Sequence, residues 1–282
     1  MHPIERVRSL ARASWLDPVS VTAEAIDAIS DAYRWMGDEV AVSIGRRLLA
    51  WHPFAAPLWY SVSEMLQAPF PEERAQELTN DLLRNTLLEK LTAALPSDGT
   101  IGVIGEGFWI RSLVKAEKNA ERHARSSPRT EKTTRTFLPV YEKSSTAPKY
   151  SEEDPFCILV EAMAIGPDSV FVCAPTTIFE QNKLPIWLVA GHATVIDTHL
   201  WEKLAVLHAS GKLRPSPQAK QSLWWDKDEK IAPEIEILPL SRVATVCGPN
   251  GLEPPEKTRE RAFSPLPELL DLAGSTSFGK AD

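Results

Sequence analysis

The chain has 282 residues, of which 43% are hydrophobic, 24% charged and 8% aromatic. These values exclude a collagen, a disulfide-rich scaffold and a largely disordered chain. The net charge of −7 argues against a protein that coats nucleic acid over its whole surface.

The first 96 residues are predicted to be helical. Asp17 followed by Pro18 is a favourable helix start, because the carboxylate can accept a backbone N–H and proline fits the first helical turn. Apolar residues recur at helical spacing in five segments, the last of which is expected to run from Pro71 to Leu95. These helices need one another to bury their apolar stripes.

Residues 97–264 alternate between short apolar runs and helical patterns, which is typical of a mostly parallel sheet with flanking helices. Pro139 favours an edge position for the strand that contains it. Residues 265–282 are expected to be a C-terminal tail. The predicted strands are Thr100–Ile104, Thr136–Tyr141, Phe156–Glu161, Ser169–Cys173, Pro185–Ala190, Glu234–Leu238 and Arg242–Val246, and the predicted helices are 108–124, one or two turns in Thr176–Asn182, and Asp197 to about His208.

Two polar stretches are unusual, one for its excess of basic residues and the other for a pair of adjacent tryptophans. Residues 111–150 carry 10 basic and 4 acidic side chains, and include a polar loop at 123–134. A solvated surface is the commoner meaning of such a run, but contact with RNA, an acidic partner or a phosphate stays open. Trp224-Trp225 lies in a second excursion and suggests either a lid or a contact surface.

Targeting and metal signals are weak. No stretch is long and apolar enough for a membrane-spanning helix, and the N-terminus lacks an apolar signal core, so we expect a cytoplasmic protein. Cys157, Cys173 and Cys247 are widely spaced, which argues against a structural zinc site. Cys157 and Cys173 lie within apolar runs, which predicts that these two thiols are buried. The spacing of His, Asp and Glu suggests no metal, and we expect no cofactor.

Two segments together resemble one known family. The first is WHPFAAPLW at 51–59, and the second is LVEAMAIGPDSV at 159–170, followed by LPIWLVA at 184–190. They are similar to the R-P-T-A-V-N-L and V-G-A-D-A-(V/I)-x-x-(N/D)-G-x-V motifs of methylthioribose-1-phosphate isomerases and translation-initiation-factor-2B subunits, and to a divergent actinobacterial branch of that family. The resemblance covers roughly residues 40–200. It implies a helical N-terminal region, a Rossmann-like sheet and a homodimer.

The residues that carry catalysis in that family are replaced here. Met163 stands in place of the family's acid/base Asp, and Gly105-Glu106-Gly107 supplies no thiol where the family has a Cys. His52 stands where an Arg holds the substrate phosphate. Because a methionine can neither give nor take a proton, the resemblance implies the fold without the usual chemistry.

Polar residues at the ends of the predicted strands are the candidates for a site. Carboxyl ends of parallel strands form the ligand-binding edge of open α/β folds. Glu161 and His192 follow such strands and are the candidate catalytic pair, although either could be structural. The candidate ligand-binding residues are Gly105, Gly107, Arg111, Asp168, Thr176 and Thr177.

Three functions fit this pattern. The leading hypothesis is a non-catalytic binding or regulatory protein of the initiation-factor-2B type, with a rim pocket for a small phosphorylated or nucleotide-like ligand. One alternative is a sugar-phosphate isomerase that uses Glu161 and His192. The other is a translation-linked module that binds RNA or protein through residues 111–149 and Trp224-Trp225.

Overall fold

The structure is a computed structural model, and it describes residues 3–12, 17–84, 86–105, 107–126, 134–139, 155–174, 179, 183–210 and 235–274. Thr176, Thr177, Trp224, Trp225 and most of the predicted basic loop lie outside these residues. In the described part of the chain, no helix is sufficiently long and apolar to cross a membrane.

The N-terminal region is helical, as predicted. Asp17 caps the second helix as expected, since its side chain accepts the Ser20 N–H at 2.8 Å. The predicted helix from Pro71 to Leu95 is wrong in one respect, because it is two helices. Leu82 and Leu87 would lie about 140° apart on one continuous helix, and the break lets both be buried. The helices are α1 (Pro3–Arg12), α2 (Pro18–Met36), α3 (Asp38–Trp51), α4 (Ala56–Gln67), α5 (Pro71–Leu82) and α6 (Thr86–Ala94).

The second region is an α/β fold with a mostly parallel mixed sheet, as predicted. The main path of the sheet is β2-β1-β3-β5-β7-β8, and its neighbours from β2 to β7 run parallel. The strands are β1 (Asp98–Ile104), β2 (Thr134–Pro139), β3 (Ile158–Ile165), β4 (Ser169–Cys173), β5 (Ile186–Val189), β6 (Ile235–Pro239), β7 (Val243–Gly248) and β8 (Gly251–Glu253), and the helices are α7 (Phe108–Ser126), α8 (Thr198–Ala209), α9 (Pro255–Thr258) and α10 (Pro267–Gly274).

Most strand positions agree with the sequence prediction. The strand that contains Pro139 lies at the end of the sheet path, as its missing N–H requires. Strand β3 is longer than predicted, because its second half pairs antiparallel with β4 after its first half has paired parallel with β1 and β5. The short β8 escaped prediction, since its three residues carry too little pattern.

The C-terminal residues contribute more than a tail. Residues 267–274 form α10, which packs against α8 and α3. Its Leu269 is buried in the main core together with residues of the N-terminal helices and of the sheet. One apolar core therefore includes both regions.

The chain order of the strands fixes where a ligand site is expected. From β1 the chain passes to β2 on one side and later to β3 on the other, so the connections diverge between β1 and β3. In open α/β sheets, ligands bind beside the carboxyl ends of the strands at such a switch point. Glu161 lies there, one residue beyond the last pair that joins β3 to β1.

A buried arginine connects the sheet to the N-terminal helices. Arg135 on β2 donates to the carbonyl oxygens of Thr92 and Leu95 at 2.9 and 2.8 Å, at the C-terminal end of α6. It also forms a 2.5 Å ion pair with Glu117 of α7, and both side chains are less than 10% exposed. The cation thus satisfies helix-end carbonyl groups that otherwise have no partner.

We predict that Arg135→Met lowers the free energy of unfolding by about 3–5 kcal/mol, because it breaks the buried ion pair with Glu117. Urea unfolding measures the change. Arg8→Met is the matched control, since the Arg8–Glu5 pair is exposed and should contribute less than about 1 kcal/mol. Equal losses in the two variants would contradict this account.

Candidate functional site

The buried carboxyl group of Glu161 caps the N-terminus of α7. Its Oε2 accepts the backbone N–H of Trp109 at 3.0 Å and that of Ile110 at 3.4 Å. Helix N-termini bind anions, because their first N–H groups lack partners and the helix dipole is positive there. A side chain of the protein itself therefore occupies the anion position at the β1/β3 switch point.

Two glycines shape this corner. A Cβ at Gly107 would overlap the Glu161 carboxyl group, so the residue before α7 must lack a side chain. Gly105 has φ +76°, a left-handed conformation that favours glycine, and a Cβ there would lie 3.1 Å from the Cys173 carbonyl oxygen. Both glycines serve the turn between β1 and α7. The N–H groups of Trp109 and Ile110 are not free for a phosphate, because Glu161 accepts both.

Arg111 is directed toward the N-terminal region. It forms an ion pair with Asp17, the capping residue of α2, whose side chain is only 5% exposed. Burial raises the pKa of Glu161 to about 8, and the nearby charge of Asp17 acts in the same direction. The two backbone N–H groups and Arg111 oppose this increase in pKa. Glu161 is therefore mostly protonated at neutral pH.

A cavity of about 200 Å³ lies beside this corner, between the helical region and the sheet. The sheet side comes from residues that follow the carboxyl ends of β1, β5 and β7, and the helical side comes from the end of α5 and the start of α6. Leu82, Leu87 and Pro249 provide apolar surface. The polar lining residues are Asp81, Arg84, Thr86, Trp109, His192 and Asn250. We call this space the rim cavity.

Two buried polar atoms of the rim cavity have no partner. Among the described residues, Trp109 Nε1 and His192 Nε2 are the buried side-chain nitrogen or oxygen atoms without a hydrogen bond. Leaving such a group unsatisfied costs about 1–3 kcal/mol, so native structures rarely contain one without a reason. Both atoms belong to residues that line the same cavity.

Backbone packing explains why these two side chains are held in place. Trp109 is only 2% exposed, and a Cβ at Gly191 would lie 2.9 Å from its Nε1 atom. His192 packs edge-on against Tyr60, with the ring centroids 5.3 Å apart. Burial lowers the pKa of His192, which keeps its ring neutral at pH 7. The described residues show no hydrogen bond between Glu161 and His192.

The remaining sequence candidate in the described part of the chain, Asp168, does not line the rim cavity. Asp168 forms an exposed ion pair with Arg259 at 3.2 Å. Thr176 and Thr177 fall outside the described residues, so their role stays a prediction. His52 bonds through Nε2 to the Leu10 carbonyl oxygen at 3.0 Å, and Met163 packs against the apolar core.

Sequence reasoning missed Trp109, Arg84, Asp81 and Asn250. Two of these carried a usable signal, because Trp109 and Asn250 each stand close behind a predicted parallel strand. Arg84 and Asp81 carried none, since apolar periodicity does not show which helix end faces the sheet. No group of three or more His, Cys, Asp or Glu side chains in the described part of the chain could hold a metal ion.

The fold of the chain is similar to that of two kinds of protein of known structure. Translation initiation factor eIF-2B from Pyrococcus horikoshii OT3 superposes with a TM-score of 0.61 and 13% identity, over 91% of this chain and 98% of that one. A chain of the eIF2B-beta2-delta2 complex from C. thermophilum superposes with a TM-score of 0.58 and 8% identity, over 92% of each chain. 5-Methylthioribose 1-phosphate isomerase from Pyrococcus horikoshii OT3 superposes with a TM-score of 0.56 and 12% identity, over 96% of this chain and 88% of that one.

These similarities confirm the fold that the sequence resemblance implied. No protein-family model and no curated protein matches the sequence. The chain thus has the fold shared by eIF2B subunits and methylthioribose-1-phosphate isomerase.

We predict that Glu161→Gln reduces the loss of stability that accompanies rising pH. Glu161 has a pKa of about 8 in the folded chain against an ordinary value of 4.5. The unfolded chain therefore releases this proton first, and folding stability falls between about pH 4.5 and pH 8 by roughly a few kcal/mol. Urea unfolding of wild type and variant across that range measures the difference. Glu256→Gln, at an exposed position, is the control, and a wild-type-minus-Gln difference that is constant with pH would refute the prediction.

We also predict that Gly107→Ala destabilises the protein by roughly 1–3 kcal/mol, because the new methyl group overlaps the Glu161 carboxyl group. The same change should cost less in a Glu161→Ala background, because the two closest contacts, to Oε2 and Cδ, are removed and only the contact to Cβ at 2.8 Å remains. Gly248→Ala is the matched control, since its nearest neighbouring atom lies 3.5 Å from the added Cβ. A cost of Gly107→Ala that is independent of residue 161 would contradict the assigned contact.

Proposed function

We propose that the protein is a non-catalytic binding or regulatory protein that takes up a small phosphorylated or nucleotide-like molecule in the rim cavity. The carrying observation is that Trp109 Nε1 and His192 Nε2 are buried and lack partners, and that both residues line one cavity. The indole N–H can only donate, so it suits a ligand oxygen. The neutral imidazole can donate or accept at Nε2, which suits a hydroxyl group.

The size of the rim cavity favours a small ligand. Pockets for drug-sized molecules have volumes of about 300–1,000 Å³, and this one has about 200 Å³. A sugar phosphate or a part of a nucleotide fits this space better than a complete dinucleotide. The mixed lining of leucine, tryptophan and polar side chains is typical of a site that recognises a polar molecule with an apolar face.

Arg84 is the described group best placed for a phosphate. It lines the cavity and pairs with Asp81 at 3.2 Å, with 63% of its side chain exposed. A phosphate can take the guanidinium in a bidentate arrangement, in competition with Asp81. The other usual phosphate position, the N-terminus of α7, holds the Glu161 carboxyl group. Arg84 thus takes the role that the sequence had given to Gly105, Gly107 and Arg111.

The way in which the candidate acids are used supports a non-catalytic role. Glu161 caps α7 and does not line the cavity, and Met163 packs in the core. His192 is the cavity-lining group best suited to move a proton, but it has no carboxylate hydrogen-bonded to it among the described residues. Positioned acid and base groups are needed to isomerise a sugar phosphate by proton transfer.

An isomerase is the second candidate, and one observation favours it. The pKa of Glu161 near 8 gives a neutral carboxylic acid at pH 7, which is a proton donor. Turnover of a pentose phosphate that is abolished by Glu161→Gln would establish this alternative and refute the non-catalytic proposal.

We also propose that the protein is cytoplasmic and forms a homodimer. One of the structures with the same fold is described as a tetrameric complex, which supports self-association of this fold. The molar mass in solution, measured by light scattering, tests this part of the proposal separately from ligand binding.

The test of ligand binding is a thermal-shift panel of free phosphate, pentose phosphates and nucleoside monophosphates. A ligand at 100 times its Kd should stabilise the folded chain by about 2.7 kcal/mol. Trp109→Phe and His192→Ala should each weaken binding of the hit by roughly 3- to 10-fold, as expected for one lost hydrogen bond.

Matched controls distinguish a site effect from a general one. Trp35→Phe and His199→Ala change the same residue types at exposed positions, and both should leave the Kd unchanged. A flat panel, or a hit that is equally tight in the cavity variants, would refute the proposed function.

A further inference from the structure

We propose that Glu161 is the positioning residue of the rim cavity: its carboxyl group fixes the first turn of α7, and thereby sets the position of Trp109, whose side chain lines the cavity. This inference rests on the proposed function, since it gives the buried carboxyl group a task in ligand recognition. It is carried by contacts on either side of Trp109.

On the backbone side, Trp109 is held by Glu161. The hydrogen bond from Trp109 N to Glu161 Oε2 is 3.0 Å long, and the bond from Ile110 N to the same oxygen is 3.4 Å. Gly107 has no side chain that could displace the carboxyl group, and a Cβ at this position would overlap it. A change in the charge of this oxygen therefore acts directly on the N–H of Trp109.

On the side-chain side, the indole has little freedom. Trp109 is 2% exposed and packs edge-on against Phe108, with ring centroids 5.0 Å apart. Gly191 leaves room for the Nε1 atom, since a Cβ at this position would lie 2.9 Å from it. With the ring confined in this way, a shift of the helix start moves Nε1 relative to His192 and to the cavity.

Two charged groups from different elements face Glu161. Asp17, at the start of α2, disfavours ionisation of Glu161, and Arg111, on α7, favours it. Asp17 and Arg111 are themselves an ion pair. The protonation of Glu161 is thus coupled to the ion pair that joins α2 to α7. The helical region supplies one side of the rim cavity, and Trp109 of α7 lies on the other side.

The experiment follows the Trp109 indole N–H itself and needs no ligand. In ¹⁵N-labelled full-length protein, the indole signal that disappears in Trp109→Phe is assigned to Trp109. We expect this signal to move with pH with a midpoint near 8, the pKa of Glu161, and to lose that transition in Glu161→Gln. A transition that arises from His192 would lie in the acid range, because burial lowers its pKa, and it would persist in Glu161→Gln.

A second variant keeps the test decisive if Glu161→Gln does not fold. Asp17→Asn retains the α2 cap, since asparagine caps helices as well as aspartate does, and removes the negative charge near Glu161. It should move the midpoint of the Trp109 signal to lower pH. A Trp109 signal that is unchanged between pH 6.5 and 9.5 in wild type, or a midpoint that is unchanged in Asp17→Asn, would overturn the proposal.

This test separates the two proposals. A pH-dependent indole signal together with a flat ligand panel would support the positioning role and refute the proposed ligand. A ligand that binds equally well to wild type and Glu161→Gln at pH 9.5, with a static indole signal, would refute the positioning role alone.

Discussion

The start of α7 is held by a carboxyl group from the neighbouring strand, and the geometry of the rim depends on this contact. In many α/β folds the corresponding N–H groups are free to bind a phosphate. Here Glu161 reaches them from within the protein and is buried with its partners. One side chain therefore explains the need for glycine at 107, the fixed position of Trp109, and the use of Arg84 instead of the helix end in the proposed recognition of phosphate.

The helical region and the sheet are joined by polar contacts as well as by the shared core. Arg135 closes the end of α6, and Arg111 reaches the start of α2. Both contacts place charged groups at helix ends, where the backbone has unpaired donors or acceptors. They join the helical region to the sheet and to α7, and residues more than a hundred positions apart in the chain line the rim cavity.

Much of the fold was predictable, because its signals are local. Asp17 and Asp197 both cap helices where the sequence placed them, and Pro139 marked an edge strand. The break near Leu83 was missed, because leucines stand on both sides of it and only tertiary packing shows that Leu82 and Leu87 are both buried. β8 was missed because it is defined by its pairing with β7 and not by its own residues.

The candidate site was predictable only in part. The rim position of Glu161 and His192 followed from their places behind apolar strands. The partner of Glu161 did not, since nothing in its strand shows that its side chain reaches the backbone of α7. Arg84 and Asp81 come from a helix end whose orientation toward the sheet depends on the whole core, and no local pattern in the sequence reports it.

The most direct test of the central claim is a crystal structure of the protein with the tightest ligand of the phosphate panel. The account predicts a ligand oxygen within hydrogen-bond distance of Trp109 Nε1, a second polar atom at His192 Nε2, and the Glu161 carboxyl group still on the N–H of Trp109. A ligand bound at the N-terminus of α7 with Glu161 displaced, or bound elsewhere with both nitrogen atoms still unpartnered, would contradict it.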